Sequence, residues 1–244
     1  RLRVGAEFVE QRFGVAVRLR HPLKDKRARR LERQARIGIG RHWPIKRIAR
    51  VLRIDFRGHT RQSFVDFLHN LPFYGLAVLC VDDAEVRGIL DRVGRPVTTY
   101  GLSAAADVRA VDIERKGLQT GYTVLRKGGA APLTVTVNLP GTHNVLNSLA
   151  AIAVASELGI TDAAIQSGLA RFQGVDRRLQ FVGELATGTG KAVLIDDYGH
   201  HPTEIRATLE AVRQAYPGRR VVLAFQPHRY TRLHSLFEQF ATCF

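Results

Sequence analysis

KAVLIDDYGHHPTEIRATLEAVRQAYPGRRVVLAFQPHRYTR, residues 191–232, decides the fold class. It opens with an apolar run, KAVLIDD, that ends in two acids, as a buried strand does where it meets its loop. PTEIRATLEAVRQAY then carries a helical period, with Pro202 in its first turn and Gly218 just past its end. RRVVLAFQ is a second strand. Strand, helix and strand in this order form a βαβ unit, which implies a parallel sheet. The segments after the two strands, DDYGHHPTE and PHRYTR, therefore open on the same edge of the sheet. Open α/β sheets bind ligands at that edge. Asp197, Tyr198, His200, His201, His228, Arg229, Tyr230 and Arg232 are all brought there. So many imidazole and guanidinium donors suit carboxylate or phosphate groups, because arginine offers a bidentate fork. A solvated loop face is the alternative. Zinc at His200 and His201 is disfavoured, since adjacent side chains splay apart and no third ligand is suitably spaced; no metal ligand is assigned.

Upstream the pattern is equally regular from Ser63. FVDFLHNL reads as a helix with Phe64, Phe67, Leu68 and Leu71 on one face. LAVLCVDD is a buried strand, EVRGILDRVG a helix closed by Gly94, and RPVTTYG a second strand, another βαβ unit. VRAVDIERKG, TGYTVLRKGG and LTVTVNLPG alternate between Gly-rich breaks, as antiparallel strands do. NVLNSLAAIAVASELG is a long helix stopped by Gly159, and Thr161 caps a further helix, DAAIQSGLARFQ. The helical pattern breaks around GVDRRLQ, which sets a domain boundary near residue 175.

Three further strings bear on chemistry. GTHNVLN, residues 141–147, leads into a helix, so Asn144 and Asn147 can meet a ligand at the helix start, or Asn144 can simply cap it. Arg177 and Arg178 follow the second helix, and one of them can reach an anion; solvent-facing arginines are the default there. The nearest approach to a phosphate loop is Thr187-Gly188-Thr189-Gly190-Lys191-Ala192. Leu185 stands where its first glycine belongs, and Ala192 replaces the magnesium-holding Ser or Thr. Between two strand-like stretches this string reads as a hairpin turn.

Composition bounds the rest. Apolar residues at 45% and charged residues at 24% are globular values. The longest apolar run, near Leu149 to Ala155, is too short for a bilayer, and no charged-then-apolar leader opens the chain. Cys80 and Cys243 lack metal-ligand spacing and fit a reducing compartment. The charge is uneven. Residues 1–61 hold 19 Lys and Arg against 5 Asp and Glu, a balance of +14, while residues 62–244 hold 18 against 17, a balance of +1. Stretches such as KDKRARRLERQAR have no hydrophobic period. Three readings stand for residues 1–61: a nucleic-acid-binding arm, a solvated basic segment, or sequence displaced by a reading-frame slip. Each leaves the segment poorly ordered or loosely helical. The start at Arg1, the absence of Met, and the end at Cys243-Phe244 in a helical-looking stretch suggest a fragment.

With HNLPFYG, GTHNVLN, FQGVDRR, DDYGHHPTE and FQPHRYTR in view, the sequence from about Ser63 to Phe244 resembles the Mur ligase family, and its alanine-adding branch most of all. The resemblance implies the latter part of a central ATPase domain over residues 62–175. It implies the first part of a Rossmann-like C-terminal domain over 176–244, after the atypical segment 1–61. The implied activity joins L-alanine to UDP-N-acetylmuramate in peptidoglycan precursor synthesis in the bacterial cytoplasm. ATP and Mg2+ would be needed, an acyl phosphate would be the intermediate, and no membrane would be involved. Asn144, Asn147, Arg178 and Asp197 match nucleotide-contacting positions. Tyr198 and His228 match substrate-facing ones, and His200, Arg229 and Arg232 the reacting end of the amino-acid site. The family's phosphate loop, and the glutamate and Asp-His-Met stretch that serve magnesium, belong upstream of Phe64. Residues 1–61 contain none of them, and His42 and His59 stand in other company, so the chain alone is expected to be inactive. Rival readings are a basic nucleic-acid module on an α/β body, which this resemblance disfavours, and the related ligase that attaches a whole peptide to the same sugar acid.

Overall fold

The computed structural model describes residues 14–19, 49–52, 61–188 and 190–244. KDKRARRLERQAR, His42 and His59 lie outside them. The chain divides into two compact units, one made of residues 25–173, the other of 1–24 together with 174–244.

The first unit is built on a six-stranded sheet. Its strands are β2 (Ala49–Leu52), β3 (Leu76–Cys80), β4 (Val97–Gly101), β5 (Val108–Lys116), β6 (Gln119–Arg126) and β7 (Leu133–Val137), side by side in that order. β2 to β5 run parallel and β5 to β7 antiparallel; the strand patterns predict the parallel β3–β4 pair and the antiparallel set, but not β2 or the β4–β5 pairing. All five residues of β3 are buried, because both faces of this central strand are covered. Ala77 and Leu79 face a cluster with Val65, Leu68 and Leu71, from helix α1 (Arg61–His69) and the turn after it. Leu76, Val78 and Cys80 face the other side, where α3 (Thr142–Glu157) lays Val145, Leu149 and Ile152 on the sheet. On α1 the buried stripe runs through Val65 and Leu68, leaving Phe67 exposed. The helix ends at His69, so Leu71 reaches the core from the turn and the expected face is rotated.

EVRGILDRVG is not one helix. Asp83 caps a short α2 (Ala84–Arg87) by accepting the Glu85 and Val86 amides, Gly88 ends it, and a separate 3-10 turn follows at Leu90–Arg92. Gly159 does stop α3: at φ +73° it lets Ile160 N–H reach the Ala155 carbonyl and its own N–H the Ser156 carbonyl. Thr161 caps α4 (Asp162–Arg171) by accepting the Ala164 amide.

One buried polar pair links sheet to helix. Ser148 Oγ donates to the Val145 carbonyl at 2.7 Å, so the Tyr122 hydroxyl, 2.5 Å away, is the donor in their contact. Burial pushes the Tyr122 phenol up to about 12. Tyr122→Phe leaves Ser148 satisfied through its own donation and is expected to cost about 1 kcal/mol in urea unfolding. A phenol raised in the fold stabilises fully below its ordinary value and loses that contribution as pH rises through the folded one. The wild-type advantage should therefore fade between the ordinary value of 10.0 and about 12, and its persistence above that window would refute the pairing.

The second unit carries a four-stranded sheet in the order β10 (Arg220–Phe225), β1 (Gly14–Leu19), β9 (Gly190–Asp197) and β8 (Gln180–Thr187). β8 pairs antiparallel with β9, and Thr187 lies opposite Gly190, so the glycine-rich string is the hairpin turn its sequence suggests. β9 and β10 run in the same direction but are not neighbours, since β1 lies between them and is parallel to both. Both β1 and β2 fall in the Arg-rich opening, where no element was expected. Helix α5 (Pro202–Ala215) packs Ile205, Leu209 and Val212 over Val193 and Ile195, and α6 (Tyr230–Ser235) and α7 (Phe237–Ala241) complete the unit. Among the described residues no helix is long and apolar enough to cross a membrane.

Candidate functional site

The register of the second unit fixes the site's frame. Asp197 and Phe225, the last residues of β9 and β10, both lie opposite Leu19. Two ladder spacings separate them, about 10 Å. The loops DYGHH and QPHR thus start level, on the carboxyl edge of the sheet, as the βαβ reading requires.

Asp197 organises that edge. It is only 3% exposed, and its carboxylate accepts the Leu179 amide at 2.8 Å and the Gly199 amide at 2.6 Å. Burial pushes the Asp197 carboxyl above the usual carboxylate range, against these bonds, the nearby Arg178 charge and the Thr208 hydroxyl, which all pull it down. The bond to Leu179 holds a tight turn in which both Arg177 (φ +62°) and Leu179 (φ +48°) adopt left-handed backbone. Non-glycine residues persist there only when their surroundings hold them, and such strain collects at functional sites. The Tyr198 amide donates to the Arg177 carbonyl at 2.7 Å, and the Arg177 guanidinium lies 4.9 Å over the Tyr198 ring. A nucleotide contact through Asp197 would compete with the bonds its carboxylate already makes.

The next residues build outward. His200 stands edge-on to the Tyr198 ring at 5.0 Å. Its Nδ1 is 3.0 Å from the Tyr198 carbonyl, while its backbone amide donates to Glu204 Oε2 at 3.1 Å. Glu204 also pairs with Arg178 at 3.4 Å. His201 is buried and serves as the N-cap of α5, its Nδ1 accepting the Thr203 amide. Its role is therefore local. Glu204 was not singled out from sequence, although its position three residues after the cap is the spacing at which a helix-start glutamate folds back onto the entering chain.

On the neighbouring loop the structure adds a helix. Arg229, at φ +67°, is the N-cap of α6, and Arg232 sits in the first turn, three positions on. The two arginines thus sit at the start of a helix, not along an extended loop. His228, Arg229 and Tyr230 are exposed and Arg232 is half-buried; among the described residues neither arginine pairs with a carboxylate. Arg178, Glu204, His200 and Tyr198 form one bonded cluster beside Asp197, and no described bond joins Arg229 or Arg232 to it.

Asn144 and Asn147 belong to the other unit. The N-cap of α3 is Gly141 at φ +94°, with no side-chain bond. Asn144 is thus not the cap; it lies in the first turn and donates its side-chain amide back to the Pro140 carbonyl at 2.7 Å. Asn147, one turn on, is exposed. The described residues form no triphosphate cradle, because the glycine-rich string is spent on the β8–β9 turn. Nor do any three described His, Cys, Asp or Glu residues cluster to hold a metal ion. The described residues by themselves do not form a complete magnesium–triphosphate site.

The comparisons agree with this architecture. Residues 59–155 match the Mur ligase middle domain, and residues 177–244 match the Mur ligase glutamate ligase domain. The UDP-N-acetylmuramoylalanyl-D-glutamyl-2,6-diaminopimelate–D-alanyl-D-alanyl ligase of Acinetobacter baumannii is similar at 27% identity and TM-score 0.53, over 63% of this chain and 33% of that one. The UDP-N-acetylmuramate–alanine ligase of Thermotoga maritima shares the fold at 24% identity and TM-score 0.54, over 73% and 45%. So does the folylpolyglutamate synthetase of Lactobacillus casei, at 17% and 0.50, over 70% and 42%. The match therefore spans a third to just under half of these solved chains. Two consecutive domain matches, over the same two units into which the structure divides, establish that the chain belongs to the Mur ligase family.

Proposed function

We propose that this chain forms the middle and C-terminal parts of an ATP-dependent ligase that joins L-alanine to UDP-N-acetylmuramate in the bacterial cytoplasm. The observation that carries the reading is the carboxyl edge of the second sheet. There, Arg229 and Arg232 flank the start of α6, level with His200 and Tyr198 at the end of β9. An amino acid needs its carboxylate held by fixed cations while its amine is free to attack, and guanidinium groups at the start of a short helix supply the first requirement. His228 and Tyr198 line the same edge and serve the muramoyl end. His200 faces the amine. Arg178, exposed and only loosely paired, serves a phosphate, and Asp197 supports it by fixing the turn it sits on. Asn144 and Asn147 contribute to the nucleotide side from the middle domain. ATP, when bound, would supply the phosphoryl group that activates the muramoyl carboxylate; this chain's own residues bind, orient and accept a proton.

A second reading, distinct from the ligase that attaches a whole peptide to the bare sugar acid, has one observation in its favour: the D-alanyl-D-alanyl ligase of Acinetobacter baumannii is 27% identical, against 24% for the alanine ligase of Thermotoga maritima. The experiment that separates them uses a full-length enzyme containing residues 63–244. ADP release is measured with UDP-N-acetylmuramate and L-alanine, and in parallel with a UDP-muramoyl tripeptide and D-alanyl-D-alanine. Turnover with alanine alone is expected; turnover only with the dipeptide would transfer the assignment. The 244-residue chain by itself is expected to release no alanine-dependent ADP, since positioning by a phosphate loop is most of phosphoryl-transfer catalysis.

A further inference from the structure

We infer that Glu204 is a positioning residue that presents His200 with its Nε2 lone pair bare, ready to take the proton an incoming ammonium must lose. This deepens the reading above and rests on it for the identity of the amine. A carbonyl oxygen can only accept, so the 3.0 Å contact between His200 Nδ1 and the Tyr198 carbonyl requires the proton on Nδ1. Nε2 then carries the lone pair. An amino acid arrives as an ammonium ion and cannot attack until one N–H bond breaks. The proton passes to Nε2, the electron pair stays on the amine nitrogen, and the imidazole becomes an imidazolium. That new charge would face Glu204, whose Oε2 lies 3.5 Å from Nδ1.

Glu204 is shared. Its Oε2 also takes the His200 backbone amide, fixing the loop, while Oε1 pairs with Arg178 at 3.4 Å. The charged groups described around His200 are thus Glu204, Arg178 behind it, and Arg177 beyond the Tyr198 ring. An anion that draws Arg178 away leaves the whole Glu204 charge to His200. Helix capping alone would also place a glutamate at this position, but it sets no requirement on which His200 nitrogen carries the proton.

The test uses the 244-residue chain and no turnover. Imidazole 15N spectra, with His200 assigned through H200Q, should show the Nδ1-protonated tautomer at neutral pH. In E204Q, which removes the carboxylate beside Nδ1, the same spectra should shift toward the Nε2-protonated tautomer. The opposite tautomer in the wild-type chain, which requires no variant to fold, would overturn the inference. So would an E204Q chain of native chemical-shift dispersion whose His200 tautomer is unchanged. Failure of the alanine assay in a full-length enzyme would remove the amine's identity and leave this result standing.

Discussion

Arg232→Ala, in a full-length enzyme carrying the same FQPHRYTR segment, is expected to raise the alanine concentration needed for half-maximal rate by roughly 10- to 150-fold. That corresponds to a lost charge-assisted contact of about 1.5–3 kcal/mol. The ATP requirement should change far less. Arg232 is half-buried in the first turn of α6, so its stem is already partly ordered, and little entropy is spent when its fork closes on a carboxylate. Arg229 beside it is held at φ +67°, which costs a non-glycine residue about 1–2 kcal/mol and is explained if the cap must aim this side chain at a ligand. Arg232→Lys keeps the charge and loses the fork, so it should fall between wild type and alanine. An unchanged apparent affinity for alanine in Arg232→Ala, at saturating ATP and sugar nucleotide, would remove this residue from the site.

The largest stability effect is expected far from that edge. Leu149 is fully buried on α3, in a cluster with Val78, Tyr100, Val124 and Ile152. Leu149→Ala removes its share of that packing and leaves a cavity that a sheet-backed helix cannot collapse to fill, a loss of about 3 kcal/mol within a usual range of about 2–5. This is a large share of the roughly 5–15 kcal/mol by which a domain is stable. Leu158→Ala, at the exposed end of the same helix, should stay within about 0.5 kcal/mol. Urea midpoints for the two variants decide the matter, and equal midpoints would show that α3 is not docked on the sheet as described.

Much of this architecture is legible in the sequence because its determinants are local. The apolar run of β3, the alternation of β5 to β7, and the caps at Thr161 and Gly159 each act within a few residues. A reader of the chain can place them without knowing what they pack against. The carboxyl edge of the second sheet is legible for a related reason: the two strands of a βαβ unit are parallel, so DDYGHHPTE and PHRYTR must emerge on the same edge. The subdivision of EVRGILDRVG is a local signal as well. Asp83 and Gly88 bracket a single turn, but a helical period over ten residues masks them.

What no local pattern holds is the partner of a parallel strand. Gly14–Leu19 has no neighbour in sequence to announce that it lies between β9 and β10, because parallel pairing joins segments from distant parts of the chain. The same holds at the site. Sequence places Asp197 at a ligand-binding edge, but only the tertiary structure turns its carboxylate to the Leu179 and Gly199 amides. Those bonds hold Arg177 and Leu179 in left-handed backbone and bring Glu204 between Arg178 and His200. Side-chain identity and spacing determine which groups reach the edge. Which of them are spent on holding the loops, and which remain for a substrate, is decided by buried hydrogen bonds between segments far apart in the chain.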